Sequence, residues 1–460
     1  VSKLDRAATR FRTISTDNSG LSNNYVRDIW VEKSGIIWLA TAGGGLNRYD
    51  RRINEWKIYR HEPANRNSLS SDFLKTLYRD SDGILWIGTL QGLNRFDPAK
   101  KSFERIYIHP ENPVALENQL GYDIIESPAY PGILWFGSSA AGLCSYDKKN
   151  KILKTYIVDS SGVQPSAKNF VKSIAYDQNN PAHLFVGAND GFNIFDIEAE
   201  TFKSYRSKHE RSARRSSDNI MSFYQDDAGN VWIATYGGGF MCFHLETEET
   251  TIYTVQNSDL PSNGVYSIIT DNTGFFWLSS NRGISRFDPR TGIFKNYTVE
   301  DGLQSDEFNG GSYFKSFSGE IFFGGIGGFN SFYPESILEN KIKPEVMITG
   351  FRIFNQKVTA GDDSPLKETI SQTDFIGLEH WQNDISFDFV GLHFFRPENN
   401  KYAYILENYD PDWRQVGTIR NAVYTNLDPG EYTFRVRAAN SDGIWNEQGK
   451  MIAITIYPPW

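Results

Sequence analysis

Bulky apolar residues recur along this chain in short runs broken by glycine-rich turns. The run GIIWLAT, Gly35–Thr41, is followed by the turn AGG and by a second strand-like run, GLNRYD, Gly45–Asp50. Related stretches begin at Gly83 (GILWIGTLQGLNRFD), Gly132 (GILWFGSSAAGLCSYD), His183 (HLFVGANDGFNIFD), Gly229 (GNVWIATYGGGFMCFH), Gly274 (GFFWLSSNRGISRFD) and Gly319 (GEIFFGGIGGFNSFY). The anchor aromatics are Trp38, Trp86, Trp135, Phe185, Trp232, Trp277 and Phe322, spaced by 48, 49, 50, 47, 45 and 45 residues. A self-similar period of this size implies a repeat architecture, because one unit cannot bury both of its faces alone.

Each copy reads as four strands. An inner strand such as YVRDIWVE, Tyr25–Glu32, leads through a tight turn (KSG or DSDG) to the Trp strand. A glycine-rich turn follows, then the GLNRYD strand and a last strand such as EWKIYR, Glu55–Arg60. Four antiparallel strands per repeat, joined by Asp-Gly-type turns, describe a blade of a β-propeller. The expected fold class is therefore all-β, with a seven-bladed propeller over residues 1–340.

The seventh copy runs from Tyr333 into PESILENKIKPEV and has no fourth strand of its own. The chain start, VSKLDRAATRFRTIS, aligns without gaps on GISRFDPRTGIFKNYT from Ile284 onwards. Phe11–Ser15 is thus expected to be the outer strand of the seventh blade. Val1–Asp5 matches the third strand of a repeat, so the chain is expected to start inside a repeat, with more repeats upstream.

From Pro344 the period stops, and residues 344–460 are expected to form an immunoglobulin- or fibronectin-like β-sandwich. DISFDFVGL and KYAYILENYDPDWRQV read as strands. Tyr432, Phe434, Val436 and Ala438 share one face of a third, with Thr433, Arg435 and Arg437 on the other. LDPGEY just ahead of it is similar to the tyrosine corner of such sandwiches, with Trp413 as a candidate core aromatic.

Composition narrows the functions available. Aromatics make up 15% of the 460 residues, charged residues 22%, and the net charge is -9 without a basic run. A nucleic-acid partner is therefore not expected, since phosphate binding needs a clustered basic surface. No run of eighteen apolar residues suggests a membrane span. The two cysteines, Cys144 and Cys242, sit in the third and fifth copies and read as free core thiols. DSDG, Asp80–Gly83, lacks the glutamate an EF-hand needs at its twelfth position, where Gln91 stands, so it and QDDAG, Gln225–Gly229, read as hairpin turns. The histidines show no H-E-x-x-H pattern, GISRF is not a nucleophile elbow, and the turns AGGGL and YGGGF precede no helix that would cradle a phosphate. No cofactor, metal or catalytic residue is expected.

The repeat G-x-x-W-x-x-T-x-x-G-G-L-N-R-Y-D resembles the two-component regulator propeller repeat. Lys401–Tyr457, with Tyr402, Tyr404, Trp413, Tyr424, Leu427, Gly430, Tyr432, Ala438, Asn440, Gly443 and Trp445, resembles the Y_Y_Y domain. Together they are similar to the periplasmic sensor half of hybrid two-component systems of Bacteroides-type bacteria. That resemblance implies an oligosaccharide ligand and a homodimer formed through the receptor. It also implies the periplasmic part of an inner-membrane protein, anchored by a helix after Trp460, with a histidine kinase elsewhere in the full-length protein. The fragment itself is expected to be non-catalytic. The alternatives are a propeller lyase or glycoside hydrolase, or a scaffold for protein contacts.

Propellers bind ligands mostly where the loops entering the inner strand and joining the second and third strands meet the channel. The second position of the inner-strand motif reads Arg27, Lys75, Asp123, Lys172, Met221, Tyr266 and Gly311, three of them basic in an acidic chain. An acidic sugar group would suit them through charge-assisted hydrogen bonds. The glycine turns offer Gln91, Asn189, Asp190, Tyr236, Asn281 and Arg282, and Tyr236 and Tyr122 suit stacking on sugar rings. The candidate ligand-binding set is Arg27, Lys75, Tyr122, Lys172, Tyr236 and Arg282. At the chain end, Ile452, Ile454 and Ile456 read as a final strand stopped by Pro458 and Pro459.

Overall fold

The computed structural model describes residues 10–106, 120–138, 141–158, 170–188, 191–205, 219–337, 340–394 and 397–459, with backbone alone for 120–122. The chain divides into two compact units, Val1–Ile337 and Leu338–Trp460. No α-helix occurs among the described residues, and none is long and apolar enough to cross a membrane.

The first unit is a ring of seven four-stranded antiparallel sheets. The inner strands are Val26–Val31, Leu74–Arg79, Leu120–Glu126, Val171–Tyr176, Ile220–Gln225, Val265–Thr270 and Phe308–Lys315. Each lies beside the next, and the seventh lies beside the first. The ring closes on the strand Arg12–Ile14, whose residues pair with Ser331, Asn330 and Phe329 of the seventh blade. Phe11 is buried against Tyr297 and Phe332, with centroids 5.3 and 4.9 Å away. On the same seam Arg51 of blade 1 grips Glu320 of blade 7 through two bonds of 2.6 and 3.1 Å. Val1–Asp5 lies outside the described residues.

The repeat signature has two physical causes. The Trp of one blade packs on an aromatic near the end of the third strand of the next. Trp38 meets Phe96 at 5.4 Å, Trp86 meets Tyr146 at 5.9 Å and Trp135 meets Phe195 at 5.6 Å. Trp232 meets Phe287 at 5.7 Å, and Trp277 meets Phe332 at 4.7 Å. Large side chains thus fill the wedge between sheets. The indole N–H then needs an acceptor, and an acid six residues earlier supplies it in four of the five anchor tryptophans; the Trp135 indole N–H is buried without a partner. Trp38 donates to Glu32 and Trp86 to Asp80 at 2.8 Å, Trp232 to Asp226 and Trp277 to Asp271 at 2.9 Å. Asp80 of DSDG and Asp226 of QDDAG are therefore occupied by indoles. Gly83 and Gly229 close those hairpins at φ 77° and 84°, where a side chain is strained. Cys144 and Cys242 are buried free thiols, both pushed up to about 12 by burial.

The second unit has two sheets. One orders Gln356–Lys357, Glu345–Ile353, Ile385–Leu392 and Asn421–Tyr424; the other orders Phe375–Leu378, Trp445–Ile456, Gly430–Ala439, Lys401–Glu407 and Arg414–Gly417. Phe387 and Phe434 stack at 4.3 Å in the shared core. Tyr432 Oη donates to the carbonyl of Asp428 at 2.8 Å, the expected corner. Buried Asp410 accepts from Tyr424 Oη at 2.7 Å, from Leu406 N at 2.8 Å and from the Arg414 guanidinium. Trp413 corrects the sequence reading. It is only half-buried, on the outer face, with the Arg437 guanidinium 4.3 Å from its ring centre and 5.2 Å from that of Trp445. The outer positions of Gly430–Ala439 carry arginines, and an aromatic opposite them is drawn to the cation rather than to the core.

Candidate functional site

Every inner strand carries a β-bulge near its start, where its register against the second strand shifts. A bulge inserts an extra residue and re-aims the side chains around it. In blades 1, 2 and 4 the bulge falls between Val26 and Asp28, Leu74 and Thr76, and Val171 and Ser173. The inserted residues are Arg27, Lys75 and Lys172.

These three cations share one field. The Lys75 ammonium is pulled down to about 8, by burial first and then by the charges of Arg27 and Lys172. Burial also lowers Lys172. Arg27 lies 4.5 Å from the centre of the Tyr25 ring, and Lys172 Nζ lies 5.1 Å from that of Phe170. Lys172 Nζ donates to Asn219 Oδ1 at 2.6 Å. The carbonyl of Asn219 accepts from Tyr236 N at 2.8 Å. Asn219 therefore joins the basic arc to the aromatic side of the mouth. There half-exposed Tyr236 stacks on buried Tyr266 at 5.9 Å, and Tyr266 Oη is anchored on Glu307 at 2.8 Å.

The other candidates are distributed differently. Arg282 is exposed on the blade 6 turn, its N–H on Ser280 Oγ at 2.9 Å, and no contact among the described residues brings it to the three cations. Gln91 is exposed on the blade 2 turn. Asn281 is partly buried rather than presented, and its Oδ1 is buried without a partner. The side chain of Tyr122, and Asn189 and Asp190 entirely, lie outside the described residues.

Asp123 does not belong to the position of Arg27. Ile124 pairs with Phe136, as Ile29 pairs with Leu39, so Asp123 corresponds to Asp28. Blade 3 holds one residue more in its bulge than blade 1, which shifts the motif by a step. Asp28 and Asp123 form a lower acidic layer that stitches blades together. Asp28 accepts from Leu77 N at 2.6 Å, and Asp123 from Ser173 Oγ at 2.7 Å and Ile174 N at 3.0 Å. Burial holds Asp28 well above the usual carboxylate range and raises Asp123 to about 6. In blade 7 the bulge is longer still, through Gly310 and Gly311, and Tyr313 follows it. The Tyr313 phenol is pushed far up by burial and by the Asp123 and Asp28 charges. Its strand approaches the inner strands of blades 2, 3 and 5 across the channel. The mouth is thus a basic and aromatic rim above an acidic layer and a tyrosine. Asp28 and Tyr313 escape a sequence reading, since only the closed ring brings them together.

Comparison with known proteins agrees with this architecture. Models of the two component regulator propeller match residues 68–91 and 215–237, and the Y_Y_Y domain matches residues 393–457. A protein of Formosa agariphila named histidine kinase P4 is 29% identical over 96% of this chain. The extracellular domain of what has been assigned as a hybrid two component system of B. thetaiotaomicron superposes with a TM-score of 0.78, at 25% identity over 98% of this chain. The chain spans 32% of the length of the former and 58% of the latter. An inactive virginiamycin B lyase from Staphylococcus aureus, 14% identical over 70% of this chain and 97% of its own length, shares the fold alone, with a TM-score of 0.52. The chain carries two component regulator propeller repeats and a Y_Y_Y domain, and it is built like the extracellular sensor region of a hybrid two-component system.

Proposed function

We propose that this chain is the periplasmic ligand-sensing region of a membrane-bound hybrid histidine kinase, that it detects an oligosaccharide at the mouth of its propeller channel, and that it signals across the membrane to regulate transcription. The observation that carries the reading is the likeness of almost the whole chain, propeller and sandwich together, to the extracellular domain of a two-component system. The mouth supports the ligand class: a half-exposed tyrosine beside hydrogen-bonding and cationic side chains suits a sugar ring with polar substituents. In the full-length protein the sandwich would hand the ligand state to a membrane helix following Trp460, within a homodimer. The kinase chemistry would reside outside this chain.

A glycan array on residues 1–460, followed by ligand-dependent autophosphorylation of the full-length protein in membranes, tests the reading. Binding of an oligosaccharide that changes phosphorylation is the expected result. Turnover of the bound sugar by the fragment would replace a sensor with an enzyme. A response to protein partners alone would make it a scaffold.

A further inference from the structure

Two side chains of one blade fill the seam to the next, where they press on its third-strand aromatic. One is the anchor aromatic of the second strand, and the other comes from the outermost strand. Trp38 and Tyr59 of blade 1 lie 5.4 and 5.3 Å from Phe96. Trp135 and Tyr156 of blade 3 lie 5.6 and 4.9 Å from Phe195. Tyr205 meets Phe243, and Tyr253 meets Phe287, both at 5.0 Å. The seam from blade 7 to blade 1 has smaller parts. Phe322 is its anchor. Ile14, which pairs with Phe329 as Tyr59 pairs with Leu46, stands where blades 1, 3, 4, 5 and 6 carry a tyrosine. Blade 2 has Ile106 at that place but keeps Trp86, and blade 4 has Phe185 as anchor but keeps Tyr205. Only blade 7 is reduced at both. Arg51 covers Phe322 at 5.9 Å, and a cavity of about 520 Å³ remains beside Tyr49.

The cavity has an aromatic wall and a polar edge. Tyr49 and Trp56 form the wall, with their rings stacked at 4.2 Å. Gly20 lets the backbone close on Trp56, since a Cβ there would lie 2.5 Å from the ring. Trp56 stays partly exposed, and its indole N–H makes no hydrogen bond among the described residues. Exposed Arg12 and Asn54 stand at the edge, and the Asn54 amide is oriented by Tyr49 Oη, which donates to its Oδ1 at 3.1 Å. No carboxylate is among the described residues that line it. Guanidinium, amide and indole make the edge rich in donors, which suits a ligand rich in oxygen. The volume falls within the ~300–1,000 Å³ of small-molecule sites, which commonly combine aromatic walls with a few polar groups. We propose that this cavity is a sugar seat on the outer wall of the ring. It takes one pyranose residue, with C–H groups against the exposed part of Trp56 and oxygens bonded to Arg12 and Asn54. The channel mouth lies on the innermost strands and this cavity on the outermost, so the inference goes beyond the sensor reading and is tested apart from it.

The test follows the indole N–H of Trp56 by NMR in the full chain labelled with 15N-tryptophan. Methyl glycosides of glucose, galactose, mannose and glucuronic acid are titrated to high millimolar concentration. The Trp56 peak, identified by its loss in Trp56→Phe, should move saturably with at least one of them. Arg12→Ala, at an exposed position, should weaken that binding about tenfold. Ile14→Tyr supplies the filler that five other blades use. It should melt no lower than wild type and leave the Trp56 peak unmoved. A Trp56 peak that no glycoside moves overturns the seat. So does a shift that survives Ile14→Tyr in a folded variant, or binding that Arg12→Ala leaves at full strength. Tyr236→Ala, at the channel mouth, should not alter the Trp56 titration; a shift that vanishes with Tyr236 arises at the mouth and also overturns the seat. Glycan binding on the array with an unmoved Trp56 peak removes the seat and leaves the sensor reading standing.

Discussion

Asn330 Nδ2 donates to Thr13 Oγ1 at 2.7 Å, joining residues 317 apart in the chain. The bond lies on the ladder that completes the seventh blade, and Phe11 packs under it between blades 6 and 7.

Loss of this ladder should therefore weaken the whole propeller. Phe11→Ala empties a buried aromatic site and should cost about 3–5 kcal/mol. Thr13→Ala, which removes one hydroxyl, should cost about 1 kcal/mol. Deleting residues 1–16 should lower the melting temperature more than either. Calorimetry checks the order, and a deletion variant that melts with wild type would contradict the closure.

Asp123 should make stability fall as pH rises through the acid range. Its folded-state value, about 6, lies above the ordinary carboxylate value of 3.8, so the native state holds the proton longer than the unfolded one. Between these values deprotonation favours unfolding, and above about 6 the full cost is present. Asp123→Asn keeps an acceptor for Ser173 Oγ and Ile174 N without the charge. It should melt higher than wild type at pH 7.5, by about 1–2 kcal/mol of added stability, and the gain should vanish near pH 4. Melting curves at the two pH values decide it.

The two sites differ in how far sequence alone reached them. The Trp positions and the preceding acids are local and periodic, so ring, blade count and hairpins were legible. The cationic members of the mouth were legible too, since Arg27, Lys75 and Lys172 occupy one place in the motif. Asp123 was misplaced because the extra bulge residue of blade 3 leaves the run of apolar residues around it unchanged. Tyr313 stands after a longer bulge for the same reason. Trp413 was misjudged because an aromatic beside alternating apolar residues reads as core, whereas the facing arginines make it a surface stack.

That stack sets a contrast between tryptophans. Trp413→Ala should cost about 1 kcal/mol, because its ring holds Arg437 at the surface rather than filling the core. Trp86→Ala should cost about 3–5 kcal/mol, because Trp86 is buried and its indole satisfies Asp80. Denaturant unfolding of the two variants gives the comparison.

In the sandwich, Asp410 should matter more than its tyrosine partner. Tyr424→Phe removes one donor and should cost about 1 kcal/mol. Asp410→Ala leaves Leu406 N, Tyr424 Oη and Arg414 without their acceptor and should cost about 3–5 kcal/mol. Denaturation of the isolated variants measures both.

The proposed output predicts a stiff joint at the chain end. The strand Trp445–Ile456 runs into Pro458 and Pro459. A ten-residue Gly/Ser insert between Tyr457 and Pro458 of the full-length receptor should leave ligand affinity intact and uncouple it from phosphorylation. Normal ligand-dependent phosphorylation through the insert would contradict the rigid joint.

The strand Arg12–Ile14 precedes the rest of its ring in the chain, and its partner Phe329–Phe332 follows some three hundred residues later. Until then the latch has no ladder to join, and the six blades already made have an unsealed seam. Folding of the propeller is thus tied to completion of its last blade, the kind of long-range closure that slows folding and exposes strand edges to aggregation. A chain interrupted before residue 329 should remain protease-sensitive at the open seam, whereas one extended past residue 337 should lose that sensitivity. The latch ties closure of the ring to its last blade, and a propeller truncated before that blade keeps an open strand edge.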